Sequence, residues 1–256
     1  AEVHIDRIVA AKGGLHLPHA KLMARICFLA LEVGLTAGDI REGHRRDQKF
    51  IFFSVDGARR LHSWLQLQGL STDQLRLASR SYSRLWTVDV VTLQRSKEHV
   101  QQQLSATDSQ WCKAFTSQPP AMLAPPKRVD AVTAWLEAKP LGFSRVEVAK
   151  LWVTRPNLFA RSADVLQHRL GQVVSRLSLG EGSMRQVVWS SPAMLTLDSE
   201  ALLTKVDSLL AAEPCLRASI PALLCRGGFA LGLSSETVLS KVKYLREYGE
   251  LLYSIV

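Results

Sequence analysis

The side chains best equipped for chemistry in this sequence are its arginines and lysines. Arg76, Arg80 and Arg84 recur at i, i+4 and i+8, a spacing that on a helix lays three guanidiniums along one stripe. A planar, permanently charged fork suits phosphate oxygens, so the stripe reads as a phosphate-tracking surface. The densest positive cluster is Arg41, Arg45, Arg46 and Lys49, followed beyond the apolar run Phe50-Ile51-Phe52-Phe53 by Arg59 and Arg60. A third set, Arg169, Lys205 and Lys241, is spaced by 36 residues. Cations repeated in phase with a stacked fold would form a line matched to a phosphate array. The first set also has a plain reading as a solvated outer face of the solenoid, the second is expected at an inter-repeat edge, and the third reads equally as snorkelling over the leucine core or pairing with the next unit's acid.

Catalytic patterns are missing. The sequence has no GxSxG, HExxH, P-loop or dinucleotide fingerprint, and its histidines are scattered, so no nucleophile and base pair up. A non-enzyme without cofactor or small-molecule substrate is expected. The four cysteines Cys27, Cys112, Cys215 and Cys225 form no CxxC pair and read as reduced core thiols. His16-Leu-Pro-His19 with Cys27 lacks a fourth ligand, so no metal is expected. Trp86, Trp152 and Trp189 fall at apolar positions suited to core packing, whereas Trp64, Trp111 and Trp135 have no evident place.

The charge balance points to a polyanionic partner. Over 256 residues, 32 Lys+Arg stand against 23 Asp+Glu, a net charge of +9. Residues 1–128 carry 18 basic and 11 acidic side chains and residues 129–256 carry 14 and 12, which concentrates the surplus in the first half. With 47% apolar residues and a mean hydropathy of +0.04 the chain can bury a substantial core. No apolar run approaches the roughly 18 to 20 residues that crossing a bilayer takes, so no membrane partner is expected. The sequence starts at Ala1 rather than methionine, as a cleaved targeting peptide would leave it, or as trimmed numbering would.

The elements that must position these residues follow from an internal repeat. Pro156-Asn-Leu158-Phe159 through Leu170 lies over Pro192-Ala-Met194-Leu195 through Val206 at an offset of 36 without a gap. Extending the register places anchors at 48, 83, 120, 156, 192 and 228, with steps of 35, 37, 36, 36 and 36 and about five residues missing after Pro120. Before each anchor a short helix is expected, capped by Thr36, Ser71 or Ser144, whose side-chain oxygens accept an otherwise orphan amide hydrogen. Proline at 156 ends the Ser144 helix, and Pro-x-Leu-Phe fits a 3₁₀ turn. A longer helix follows, opening at Ser162, Asp198 or Ser234, with Asp164, Glu200 or Glu236 in its first turn. Such a unit is too thin to enclose a core, so stacking must supply one. The fold expected is an all-α solenoid forming one domain over residues 1–256.

The junctions Gly34-Leu35-Thr36, Gly69-Leu70-Ser71 and Gly142-Phe143-Ser144, the Pro-x-Leu-Leu-like anchors, and helices such as Lys241-Val242-Lys-Tyr244-Leu245 and Arg60-Leu61-His-Ser-Trp64-Leu65 resemble the mitochondrial transcription termination factor (mTERF) family over residues 20 to 256. The resemblance implies a left-handed superhelix of helix-helix-3₁₀ units whose concave groove holds nucleic acid. It implies an organellar protein, of the mitochondrial matrix or a chloroplast. The leading expectation is a binder of structured ribosomal RNA, a constituent or assembly factor of the mitochondrial ribosome in contact with ribosomal proteins. The alternative is a duplex-DNA-binding transcription terminator, and a third class is a scaffold for proteins alone.

Overall fold

The structure is a computed structural model that describes residues 19–177, 179–196 and 199–212, with six further positions between 236 and 244. The expected anchor at 228 lies outside the described residues. Every regular element among them is helical and none is a strand, so the protein is all-α as expected.

The chain divides into two compact units, Ala1–Pro126 and Lys127–Val256. The first contains α1 (His19–Cys27, continuing as a π turn over Phe28–Glu32), α2 (Ala37–Arg46), a 3₁₀ turn (Gln48–Ile51), α3 (Val55–Leu67) and α4 (Thr72–Ser81). It goes on with a 3₁₀ turn (Leu85–Thr87), α5 (Val90–Leu104), α6 (Asp108–Ser117) and a 3₁₀ turn (Pro119–Leu123). From Pro126 the chain forms α7 (Pro126–Glu137), α8 (Arg145–Thr154), a 3₁₀ turn (Pro156–Leu158), α9 (Ala163–Leu177), α10 (Glu181–Ser190), the short α11 (Ala193–Thr196) and α12 (Ser199–Ala212). Short and long helices alternate. In the first unit α4 packs on α6 and α3 on α5, and in the second α9 packs on α12.

The short helices begin alike because their sequences satisfy the same orphan amides. Thr36, Ser71, Thr107 and Ser144 each form a reciprocal capping box with Asp39, Gln74, Gln110 and Glu147, and Gly180 keeps the same backbone geometry without a side-chain bond, giving steps of 35, 36, 37 and 36. Two residues earlier the backbone is left-handed at Gly34, Gly69, Ser105 and Gly142. Three glycines adopt this without a Cβ penalty, while Ser105 carries it at φ 52°. The Thr107 box was not foreseen, since a serine stands where the other junctions have glycine.

The short helices also end alike. The amides of Asp47, Tyr82, Gln118, Arg155 and Ser191 donate to the carbonyls of Gly43, Ala78, Ala114, Leu151 and Val187, and those of Phe50, Leu85, Ala121, Leu158 and Met194 then donate back three residues, across a 3₁₀ turn in the first four and at the start of α11 in the fifth. All five of the latter side chains are buried. This geometry moves the third anchor from Pro120 to Pro119, because it is Ala121 that closes the turn on Gln118. The expected five-residue gap disappears with the shift: α7 starts seven residues after Pro119, as α9 does after Pro156.

Aromatic rings fill the first unit. Phe28 meets Trp86 edge-on at 5.1 Å and Phe53 at 5.7 Å, and Trp111 stacks on Phe115 at 5.0 Å. Trp86 and Trp152 are core residues as expected and Trp111 joins them, while Trp64 and Trp135 are half-buried. Trp189 is not in the core. It is 36% exposed and lies on Phe143 with the Lys150 ammonium 5.3 Å from its ring centre. Cys112 is buried but Cys27 is exposed, because it sits on the outward side where α1 passes into the π turn; Cys215 and Cys225 lie outside the described residues.

Candidate functional site

The expected arginine stripe is broken by the end of its helix. At Tyr82 the chain turns extended (φ −135°, ψ 99°), so α4 carries Arg76 and Arg80 while Arg84 opens the following 3₁₀ turn. All three arginines have carboxylate partners: Arg76 with Asp73 at 3.3 Å, Arg80 with Asp39 at 3.1 Å and Arg84 with Asp47 at 2.7 Å. Burial of Asp39 opposes its ionisation, but the Thr36 hydroxyl and amide and the Arg80 and Arg76 charges outweigh it, leaving its carboxyl below the ordinary range. Arg84, with the Lys49 amide, likewise lowers Asp47. Asp39 belongs to the Thr36 box, so Arg80 on α4 grips the cap of α2. The second unit repeats the device, with Arg185 on α10 gripping Glu147 of the Ser144 box at 2.6 Å.

The denser cluster splits into paired and unpaired cations. Arg45 and Arg46 both clasp Glu42 at 2.8 Å, and these two hydrogen bonds bring its carboxyl down to about 2. Arg46 also donates to the Arg80 carbonyl at 3.3 Å, and Arg59 pairs with Glu32 at 2.8 Å. Arg41, Lys49 and Arg60 are exposed, and none has a carboxylate partner among the described residues. Among the described residues the Arg41 side chain donates only to the Ala37 carbonyl, at 3.3 Å. Arg169 is half-buried and donates to the Leu195 carbonyl at 2.9 Å, a tie between α9 and the α11 turn rather than a solvent-facing charge. Lys205 lies on α12 with its side chain outside what is described, and Lys241 lies outside the described residues.

Arg59 and Arg60 meet exposed apolar side chains in a groove of about 880 Å³. Arg60, Ser63, Trp64 and Leu67 form its α3 wall at i, i+3, i+4 and i+7, and Phe52 and Thr87 to Val91 are also in its lining. Phe52 is 43% exposed, Leu67 83% and Val91 49%. Sequence reasoning found the arginines but not this ring, because in a four-residue apolar run only Phe52 faces out, at the exit of the 3₁₀ turn before the Ser54 cap. Asp89, also in the lining, is exposed and makes no cap bond to α5.

A buried lysine was also missed. Lys97, 8% exposed on α5, bonds to the Gln68 amide oxygen and Asp108 and lies 5.5 Å from the Trp111 ring centre. The Cys112 thiol beside it donates to the Gln68 carbonyl at 3.2 Å, and burial pushes its pKa up, which disfavours the reactive thiolate. This is a structural network joining α3, α5 and α6. Among the described residues no group of three or more His, Cys, Asp or Glu could hold a metal, and no helix is long and apolar enough to cross a membrane. No protein-family model matches the chain, and no curated protein matches its sequence.

Proposed function

We propose that the chain is an α-solenoid of about six helix-helix-3₁₀ units, similar to the mTERF family, that binds structured ribosomal RNA without catalysis. Its place on this reading is the mitochondrial matrix, as a constituent or assembly factor of the mitochondrial ribosome. The carrying observation is the separation of two kinds of cation within residues 41–84. Arg45, Arg46, Arg59, Arg76, Arg80 and Arg84 are held by carboxylates, while Arg41, Lys49 and Arg60 are exposed without one. Within the first set Arg59, Arg80 and Arg84 tie one element to another while Arg45, Arg46 and Arg76 pair within their own helices; the second set is left for an external polyanion. The caps recurring every 35 to 37 residues support the solenoid, since such a period repeats one local structure along the chain. Helical RNA is read through its shape and phosphates, a task that a few exposed cations on a rigid helical scaffold can perform without base-reading side chains. Cross-linking in native lysate, followed by sequencing of the attached nucleic acid, tests this. Ribosomal RNA is the expected product; recovery of organellar DNA instead would favour the terminator reading, and recovery of neither would remove both.

A further inference from the structure

The groove on α3 is neither a plain phosphate track nor a closed core. Its α3 wall presents a cation, a hydroxyl, an indole and an aliphatic side chain in one stripe, and Phe52, 43% exposed, is in the same lining. An exposed phenyl ring beside an unpaired guanidinium suits an unpaired nucleotide: the base stacks on the ring and the guanidinium meets the phosphate. A duplex keeps its bases stacked within itself and cannot use the ring. The lining also includes the exposed Asp89, whose charge repels phosphate and so favours placement of the backbone at Arg60. Roughly 880 Å³ also exceeds the space one base fills, leaving room for its sugar against Leu67 and Val91.

Resting on the RNA-binding reading, we infer that this groove, built by Phe52, Arg60, Trp64, Leu67 and Val91, holds an unpaired RNA nucleotide, so that the protein engages a loop or bulge of its RNA rather than helix alone. Charge complementarity selects a nucleic acid over an apolar protein segment, since Arg60 has no carboxylate partner among the described residues and the surrounding half of the chain is the more basic.

The full chain is titrated with a short single-stranded RNA containing 2-aminopurine and, separately, with an RNA duplex. Stacking on Phe52 changes the 2-aminopurine emission. Phe52→Leu weakens the single strand about 5- to 100-fold and leaves duplex affinity unchanged. Arg60→Gln weakens both. Ser63→Glu, at an exposed α3 position three residues from Arg60, places a carboxylate in the groove and, like Arg60→Gln, weakens both RNAs, here with the Phe52 ring intact. Wild-type duplex binding together with unchanged single-strand affinity in Phe52→Leu and Ser63→Glu overturns the groove assignment alone and leaves the groove as a seat for an apolar protein segment. Failure of the wild type to bind either RNA overturns the assignment and the RNA-binding reading together.

Discussion

Replacing glycine by alanine inside a helix normally stabilises it by about 0.5–1 kcal/mol, because the backbone loses less freedom on folding. Two helical glycines should respond with opposite signs. At Gly171 in α9 an added Cβ meets nothing within 4 Å, so Gly171→Ala should gain the full ~0.5–1 kcal/mol. At Gly43 in α2 the same atom would come within 2.8 Å of Cε1 and Cζ and 3.0 Å of Cδ1 of Phe50. Phe50 is 2% exposed and cannot swing away, so overpacking of about 1–3 kcal/mol outweighs the propensity gain. Gly43→Ala should therefore lose about 1 kcal/mol net. The pair Gly43–Phe50 corresponds to Ala78–Leu85 in the next helix pair, so Gly43→Ala/Phe50→Leu should recover stability beyond the sum of the single changes. Urea unfolding followed by tryptophan fluorescence measures all four variants. If Gly43→Ala were as stabilising as Gly171→Ala, Phe50 would not be seated on α2, and the packing of anchor on short helix described above would be wrong.

Reversing Arg80 and Arg84 to Glu sets new carboxylates beside Asp39 and Asp47, so the thermal midpoint should fall and be partly restored by Asp39→Arg/Asp47→Arg; an unchanged midpoint would show that these pairs hold nothing. Leu166 on α9 is fully buried, and Leu166→Ala should cost about 2–5 kcal/mol in a urea titration, a loss below ~1 kcal/mol counting against its core position. Burial of His62 lowers its pKa from 6.5, its Coulombic attraction to Glu32 opposing this, so the folded chain prefers the neutral ring. Stability on this account is complete above pH 6.5 and declines as the pH falls below it, and His62→Gln should flatten that decline.

Local features were legible because their causes are local. Thr36, Ser71 and Ser144 announce their helices through residues three positions away, and Pro156 bars the helix before it from continuing. What could not be read depends on residues far along the chain. Arg80 and Arg84 look like a solvent-facing stripe until Asp39 and Asp47, 41 and 37 positions earlier, are brought against them. Tyr82-Ser83 contains no helix breaker, so nothing in the pattern ends α4 before Arg84. Lys97 has the composition of a surface residue, and only packing of α3, α5 and α6 buries it. Phe52 shows the converse: an apolar run implies burial, yet the 3₁₀ turn rotates one side chain of four outward.

The salt dependence of RNA binding tests the central claim most directly, because it counts the cations that displace counterions. Arg41, Lys49 and Arg60 are exposed and lack carboxylate partners among the described residues, so changing all three to Gln should preserve the fold. It should lower affinity for ribosomal RNA and reduce the slope of log K against log salt by about 2 to 3. A triple variant that folds, binds as tightly as the wild type and keeps its slope would contradict the assignment of these cations to a polyanion.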